Sequence, residues 1–541
     1  MDIQQLDFSK LPFSRLFNHY IKGNKDIQPF YSRTYDYQAL KDAVNSYTFK
    51  GDRSEMARLI SSFNVAISNK TTGEKLQAIL EDENTVTITT GQQLSLFGGP
   101  LYTIYKTLTV IHLARRLERD TGKKVIPVFW LADEDHDFEE ISSVAIPDSD
   151  NLRKIALPCE VCARHAAGSI RVDEHFESFR SEVYQSLQPT DFHDELISLL
   201  DDAYAGGRTY RDAFGVLLSR LFSRHGLIFA GSNYREAKQF SVSCIRDAVI
   251  NASAIRSSLE DQTRRLGKSY HQQVQVTDSL LFWHDDEYGR VRLRHENGEW
   301  KRDPNVTYSN DELLFLVDSE PERFSPNVFL RPVIQDTILP NVGYVGGPAE
   351  IAYYGQMKPV YDHFGLRMPF IAARLSATLV EPAVQRFLGE LPFDFPDYLK
   401  RFEDLEQHFL RTHGNPGLDD HFEAWKQKVD ALTATMVEQI GITDPGLLKH
   451  SKAVTREHLK SIDKLKKKML SSIRQKEEVQ TKRIKKVKNA VFPNEKLQER
   501  EISFIYFLNK FGMDLFDRML EELDTFDEEE ALYSSHHIIK L

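Results

Sequence analysis

The chain has 541 residues, of which 41% are hydrophobic and 28% charged, with 69 basic and 80 acidic side chains. One hydrophobic core stops growing near roughly 250–300 residues, so at least two domains are expected. The net charge of −11 argues against a surface that globally attracts nucleic acid or anionic membrane. No stretch has the ~18 consecutive apolar residues of a membrane span, and Met1 to Phe17 lacks a basic-then-apolar leader pattern. The only cysteines are Cys159, Cys162 and Cys244. So sparse and odd a count predicts a reducing, cytoplasmic setting rather than a disulfide framework.

Thr85 to Thr90 is rich in β-branched residues and predicts a strand. Gly91-Gln92-Gln93 then reads as a loop. After Gly98-Gly99-Pro100, apolar residues from Leu101 to Leu117 recur at helical spacing, to about Arg119. Val125 to Ala132 is almost wholly apolar, as a strand buried on both faces should be. It runs into Asp133-Glu134-Asp135-His136-Asp137. The expectation is a right-handed βαβ unit with parallel strands. Both following loops would lie at the carboxyl ends of the strands, where open α/β sheets bind ligands.

Residues 151–205 and 245–327 are polar and irregular and predict insertions. Between them come a helix, Tyr210 to Phe222, a strand, Gly226 to Ala230, and the turn Gly231-Ser232-Asn233. Within the second insertion, Leu280 to Trp283 and Val291 to Leu293 flank a hairpin signal at Glu287-Tyr288-Gly289. A second βαβ unit is expected from Asn341 to Gly346, through Gly346-Gly347-Pro348 and a helix over about 349–364, to Met368–Ala373 and Arg374. Beyond about Glu390, glycine becomes rare. Asp444-Pro445-Gly446 predicts a turn between helices, and no Pro or Gly occurs from Leu447 to Val491. Leu459, Ile462, Leu465, Met469 and Ile473 form a narrow stripe, which predicts a coiled-coil hairpin. Between Lys449 and Lys488 there are 15 basic and 4 acidic residues. That run reads as the solvated face of the coil, since aromatic side chains do not interleave with it. A last helix, Ile502 to Leu508, is aromatic enough to dock on the core.

The loop from Asp133 to Glu140 carries the strongest chemical signal. Such a cluster can bind a divalent cation, hold an ammonium or place a base. The Gly91 and Gly98-Gly99 segments match neither dinucleotide nor phosphate-loop patterns. Cys159 and Cys162 have only His165 nearby, too few ligands for structural zinc. Arg331, Glu350 and Arg374 flank the second βαβ unit, and arginines at such edges clamp carboxylates.

Several motifs, in order, resemble one family. Thr90-Gly91-Gln92-Gln93, Gly99 to Ile104 and Lys106 are similar to the first signature of the bacillithiol cysteine-adding enzymes. Pro127 to Trp130, Glu134 to Asp137 and Glu140-Ile141 resemble the second. Arg323 to Ser325, Asn327-Val328, Arg331-Pro332 and Leu339-Pro340 resemble a third. Gly347-Pro348, Glu350-Ile351, Tyr353 and Met368-Pro369 continue it. Gln498 to Arg500, Asn509 and Gly512 resemble the C-terminal segment. Asp133 departs from the pattern, which has a small residue there.

The resemblance implies an α/β fold: a Rossmann-type parallel sheet with connecting-peptide insertions over 1–389, an α-helical coiled-coil arm over 390–495, and a docking segment over 496–541. It implies a ligase that joins L-cysteine to glucosaminyl malate, completing bacillithiol. ATP or ADP is expected, with Mg²⁺ as a companion and zinc not expected. The implied site has His136 as base with Glu134, Asp135 and Asp137 beside it. Substrate would be held by Gly91, Gln92, Gln93, Thr103, Lys106, Trp130, Glu140, Arg331, Glu350, Tyr353 and Arg374. Arg500 and Asn509 would hold nucleotide. A homodimer through the coil is expected, without nucleic acid or membrane. The rival readings are another ATP-dependent amide ligase of this architecture and a nucleic-acid scaffold built on the basic coil.

Overall fold

The computed structural model describes residues 2–69, 73–148, 151–159, 162, 165–302, 306–414, 417–526 and 532–541. It divides into two compact units, one of Met1–Asp148, Leu152–Thr378 and Glu499–Ile539, the other chiefly Leu379–Gln498.

The first unit is built on a five-stranded sheet. Its strands are β1 (Val86–Gln93), β2 (Val125–Ala132), β3 (Ile228–Gly231), β4 (Asn341–Gly346) and β5 (Phe370–Ala373). They lie in the order β5-β4-β1-β2-β3, and every pairing is parallel. Nearly every strand residue is buried, which is why the runs read as continuously apolar. The chain winds outward from β1 through β2 to β3, then returns to the opposite side of β1. The winding therefore reverses between β1 and β4. At that point a crevice opens beyond the strand ends.

The helices that serve this edge are α1 (Leu101–Thr121), α2 (Tyr210–Phe222), α3 (Arg235–Ile250), α4 (Arg331–Ile338) and α5 (Pro348–His363). Gly122, at φ 69°, ends α1 in the left-handed cap that glycine adopts most easily. Both expected βαβ units are present.

Three expectations need correction. Gly91-Gln92-Gln93 is not a loop, because β1 continues through it and pairs with Trp130, Leu131 and Ala132 of β2. Glycine and glutamine are weak strand formers, and it is the parallel neighbour that holds them extended. Residues 245–327 are not irregular either. They carry an antiparallel five-stranded sheet and the helices Ala252–Leu266 and Asn310–Ser319, and Trp283 pairs with Val291 across the expected hairpin. Residues 151–205, also expected to be irregular, carry the helices Glu174–Ser186 and His193–Ala203. Finally, Cys159 and Cys162 are joined as a disulfide, while Cys244 is a buried free thiol. Three residues apart, the two Cα atoms sit 5.4 Å from each other, within bridging range.

The acidic loop is anchored by its first two residues. Asp133 is fully buried and accepts the backbone N–H groups of Ser232 (3.2 Å) and Asn233 (3.1 Å). It thus ties the end of β2 to the turn after β3. Gly231 and Gly168 leave the room it needs, since a Cβ on either would fall within 2.7 Å of Asp133. Glu134 is buried in an ion pair with Lys238 of α3 and accepts Ser232 Oγ at 2.8 Å.

In the second unit, α6 (Leu418–Thr443) and α7 (Leu448–Lys476) are joined by a tight turn at Pro445–Leu447, and α8 (Glu478–Val491) follows. Lys426–Asp463 (3.0 Å) and Lys466–Asp419 (2.6 Å) bridge the two long helices. The 26 residues of α6 reach roughly 40 Å. The apolar stripe splits in two. Ile462 and Ile473 are buried, whereas Leu465 and Met469 stay exposed.

Replacing Gly168 with alanine should destabilise the first unit by about 1–3 kcal/mol through overpacking against Asp133. Gly206→Ala, with nothing within 4 Å of the added Cβ, should stay within about 0.5 kcal/mol of the parent. Equal denaturation midpoints for the two variants would contradict this anchoring.

Candidate active site

The crevice at the reversal point has a volume of about 320 Å³. Its floor is the end of β1. Gly91, Gln92 and Gln93 line it, with Trp130 and Ala132 of β2 beside them. The turn after β4 supplies Gly347 and Pro348, and the first turn of α5 supplies Glu350 and Tyr353. Arg374 enters from the end of β5, Arg331 from the start of α4 and Arg500 from the C-terminal segment.

Lys106 holds the centre. It sits on α1, 3% exposed. Its ammonium donates to Gly91 O at 2.7 Å and Gln92 Oε1 at 3.0 Å. It also pairs with Glu350 Oε2 at 2.6 Å. Burial lowers the Lys106 pKa, and the Glu350 charge opposes that shift. Glu350 is held in turn by Tyr344 OH (2.6 Å) and the backbone N–H of Gly347 (2.8 Å). One ammonium therefore joins the ends of β1 and β4 across the crevice.

Asp135 faces the crevice from the acidic loop. Gln93 Nε2 donates to it at 3.0 Å, and Arg331 lies 3.7 Å away. Burial works against its ionisation, but Arg331, Gln93 and Arg290 outweigh it and hold the carboxyl at about 2. Asp135 is thus a permanent carboxylate at neutral pH. Its neighbour His136 is half-buried, with Nδ1 3.3 Å from Arg290 Nη1. Burial, then the Arg290 charge, lower its pKa, so the ring is neutral at pH 7 and able to take a proton.

The C-terminal segment completes the wall. Glu499 is fully buried and pairs with Arg374 Nη2 at 2.6 Å, while its other oxygen accepts Ser376 Oγ and Ala377 N, each at 3.0 Å. Burial opposes ionisation of Glu499, and the Arg374 guanidinium beside it keeps its pKa low. The next residue, Arg500, is exposed at the crevice with its guanidinium 5.9 Å from the Tyr102 ring. Arg374 approaches the same ring at 5.7 Å.

Most of the expected residues meet here. Gly91, Gln92, Gln93, Lys106, Trp130, Asp135, Glu140, Arg331, Glu350, Tyr353, Arg374 and Arg500 all line one cavity. Five do not. Glu134 is consumed by Lys238. Thr103 is buried in the first turn of α1. Asp137 caps the short helix Phe138–Ile141, and His136 stands beside the lining rather than in it. Asn509 lies elsewhere and donates to Gln188 O at 2.8 Å, so it shares no pocket with Arg500. Among the described residues, no three His, Cys, Asp or Glu side chains gather as metal ligands. Mg²⁺ commonly uses only one or two carboxylates and completes its shell with phosphate and water, so Asp135 and Glu140 suit it only together with a nucleotide. Sequence reasoning missed Tyr102, Tyr344, Arg290 and Glu499. Of these, Tyr102, inside the quoted Gly99 to Ile104 motif, and Glu499, inside the Gln498–Arg500 motif, had a visible signal.

Residues 1–375 match the family model described as the bacillithiol biosynthesis BshC N-terminal Rossmann-like domain. Residues 377–539 match that of the BshC C-terminal coiled-coil domain. The chain belongs to the BshC family. A BshC relative from Koribacter versatilis (strain Ellin345), named "Putative cysteine ligase BshC", is 30% identical over 96% of this chain and 97% of its own. One of the same name from Bacillus cereus (strain AH187) is 27% identical over the full length of both. A solved chain from Campylobacter jejuni, titled "putative arginyl t-RNA synthetase", overlaps 85% of this chain at 9% identity with a TM-score of 0.25, too low to carry any argument. No helix among the described residues is long and apolar enough to cross a membrane.

Glu499→Gln keeps the size of the side chain and removes its charge. It should cost about 3–5 kcal/mol, as breaking a buried pair from one side does. Chemical denaturation measures this, and a loss under 1 kcal/mol would show that Arg374 does not depend on Glu499.

Proposed function

We propose that this BshC chain is a cysteine ligase that forms the amide between the L-cysteine carboxylate and the amine of glucosaminyl malate. The observation that carries the reading is the crevice, in a chain whose full length follows the family. It sets a carboxylate, Asp135, among arginines at the switch point of the sheet. An amine and carboxylates are the groups this substrate pair brings.

In this reading Arg500 and Arg331 hold the two malate carboxylates, for which the planar guanidinium is suited. Asp135, ionised throughout the neutral range, orients the amine. The amine must lose a proton before it attacks. His136, neutral and adjacent to Asp135, accepts it at the rim. Lys106 is committed to Gly91, Gln92 and Glu350 and keeps the two strand ends in register. Arg374, fixed by Glu499, faces the cysteine carboxylate. ATP, with Mg²⁺, would supply the activation that a carboxylate needs, and the carboxylate oxygen displaced by the amine would leave on the phosphate. ATP and free cysteine are cytoplasmic metabolites, so we assign the protein to that compartment.

We also assign dimerisation to the arm. Leu432, Met436, Leu465 and Met469 are exposed there at 70%, 59%, 49% and 38%. Such a row on paired helices suits a second copy.

The direct test is mass spectrometry of purified protein incubated with cysteine, glucosaminyl malate and ATP, beside thiol profiles of cells lacking the gene. Normal bacillithiol in such cells would sink the reading. His136→Ala should lower kcat/KM by roughly 10²–10⁴-fold. Because the His136 pKa is lowered from 6.5, the base is active above it, and the acid limb of kcat/KM should fall below pH 6.5. Arg500→Ala should raise KM for glucosaminyl malate by roughly 10–100-fold, the worth of a hydrogen bond to a charged group. Light scattering should give a dimer at micromolar concentration, weakened by the paired change Leu465→Lys and Met469→Lys. Ile462→Lys should instead melt the arm, since Ile462 packs inside it. A wild-type monomer would end the dimer assignment.

A further inference from the structure

His136 takes a proton in the ligase reading, and an imidazole has two nitrogens that could receive it. Which of them carries the hydrogen in the neutral ring is set by the partners the ring keeps. Two partners of opposite kind stand against Nδ1. Arg290 Nη1 is 3.3 Å away and Asp135 Oδ1 3.8 Å. A guanidinium only donates, whereas an ionised carboxylate only accepts. Arg290 therefore needs a bare Nδ1, and Asp135 would draw a hydrogen onto it.

Arg290 is held so that it prevails. It stands on the strand Gly289–Glu296 of the inserted antiparallel sheet, and its side chain is 5% exposed. Its guanidinium lies 3.8 Å from the centre of the Phe282 ring, on the neighbouring strand Leu281–Asp285. Nε donates to Ser325 Oγ at 2.9 Å and Nη2 to Pro326 O at 2.7 Å, on the strand beyond. Two sides of the planar group are thus engaged with the sheet, and the third is turned to the histidine. The rival is less free to act. Asp135 Oδ1 already accepts the His136 backbone N–H at 2.9 Å, and Oδ2 accepts Gln93 Nε2 at 3.0 Å.

We propose that Arg290 is a positioning residue that holds neutral His136 in the Nε2–H tautomer, with the Nδ1 lone pair bare beside Asp135. Arg290 does not line the crevice, so it acts through the ring and not on substrate. Its kinetic consequence rests on the ligase reading, in which Asp135 orients the amine. There the bare lone pair faces the proton that must leave. The substrate ammonium gives that proton to Nδ1, the ring becomes imidazolium, and the amine nitrogen keeps the electron pair with which it attacks. Without Arg290, the carboxylate draws the ring hydrogen to Nδ1. The nitrogen beside the amine is then capped, and the base is lost although the histidine remains.

The test is ¹⁵N NMR of the full chain labelled at histidine, at a pH where the ring is neutral; it needs no turnover. The chain has 18 histidines, and the His136 signals are those missing from His136→Asn. Wild type should show a protonated Nε2 and a bare Nδ1. Arg290→Met should move the hydrogen to Nδ1. Arg290→Lys, whose ammonium donates and cannot accept, should keep the wild-type tautomer, and it serves in place of the methionine variant should that one unfold. In turnover, Arg290→Met should lower kcat at least about tenfold, a part of the roughly 10²–10⁴-fold that a general base contributes. KM should change by less than about twofold, since no substrate contact is removed. In a His136→Ala background the same change should cost nothing further, because the two residues act as one unit. A protonated Nδ1 in wild type or in Arg290→Lys overturns the assignment. So does an unchanged tautomer in Arg290→Met, or an equal further loss of kcat in the His136→Ala background. A chain that makes no thiol removes the ligase reading, and the tautomers of wild type and variants still decide the role of Arg290.

Discussion

The Lys106 ammonium is the interaction on which the ligand edge depends. A parallel sheet wound in two directions has no hydrogen bonds beyond its strand ends to keep the two halves in register. Here α1, which follows β1, reaches back to the last residues of β1 and across to the first turn of α5. Burying a charge costs free energy, and the cost is offset only if its donors are satisfied. Lys106 meets three acceptors, one for each of its N–H bonds. The site is thereby built before any ligand arrives, and pre-set polar groups avoid reorganisation when charge develops.

The acidic loop shows how environment divides one run of similar residues. Asp133 is buried beside Glu134 and its carboxyl is pushed up to about 6. Asp135, two residues on, is held at about 2 by arginines that outweigh its burial. Glu134 spends its charge on Lys238 and Asp137 on a helix cap. Four acids in five residues therefore yield one ligand-facing carboxylate. For Asp133 the sign matters for stability. Its folded pKa is raised, so its contribution is full below 3.8 and declines as pH rises through about 6. The fold tolerates that decline because the carboxylate still receives backbone N–H groups from the turn after β3.

How much of this is legible in the sequence follows from range. β2 and α1 were readable because both are continuous apolar patterns with clear stops, and the switch-point crevice follows from two βαβ units in one sheet. The extension of β1 through Gln93 was not legible, since only the neighbouring strand imposes it. The sheet within 245–327 was hidden because its strands are short and half polar. The split of the arm stripe into Ile462 and Ile473 inside, Leu465 and Met469 outside, depends on the angle at which α6 packs. His136 shows the limit for chemistry. Residue type and loop position marked it, yet only the fold reveals that Asp135 and not His136 lines the cavity. The pairing of Arg374 with Glu499 spans 125 positions, and no local pattern announces such a partner.

That long-range pairing has a consequence for how the site is assembled. The sheet is complete by Ala373, and residues 1–375 already match a family domain. The crevice is not complete at that point. Arg374 is oriented by Glu499, and Arg500 lines the crevice itself. Leu101 N also donates to Ile502 O at 3.0 Å, and Pro100 bridges to Ser503, so the segment joins the start of α1, the helix that carries Lys106. The arm is thus an insertion, in chain terms, between the sheet and the segment that finishes its ligand edge. Contacts so distant in sequence form late because the loop-closure entropy precedes their reward. The crevice therefore acquires its full set of arginines only after the segment beyond the arm has returned to the first unit.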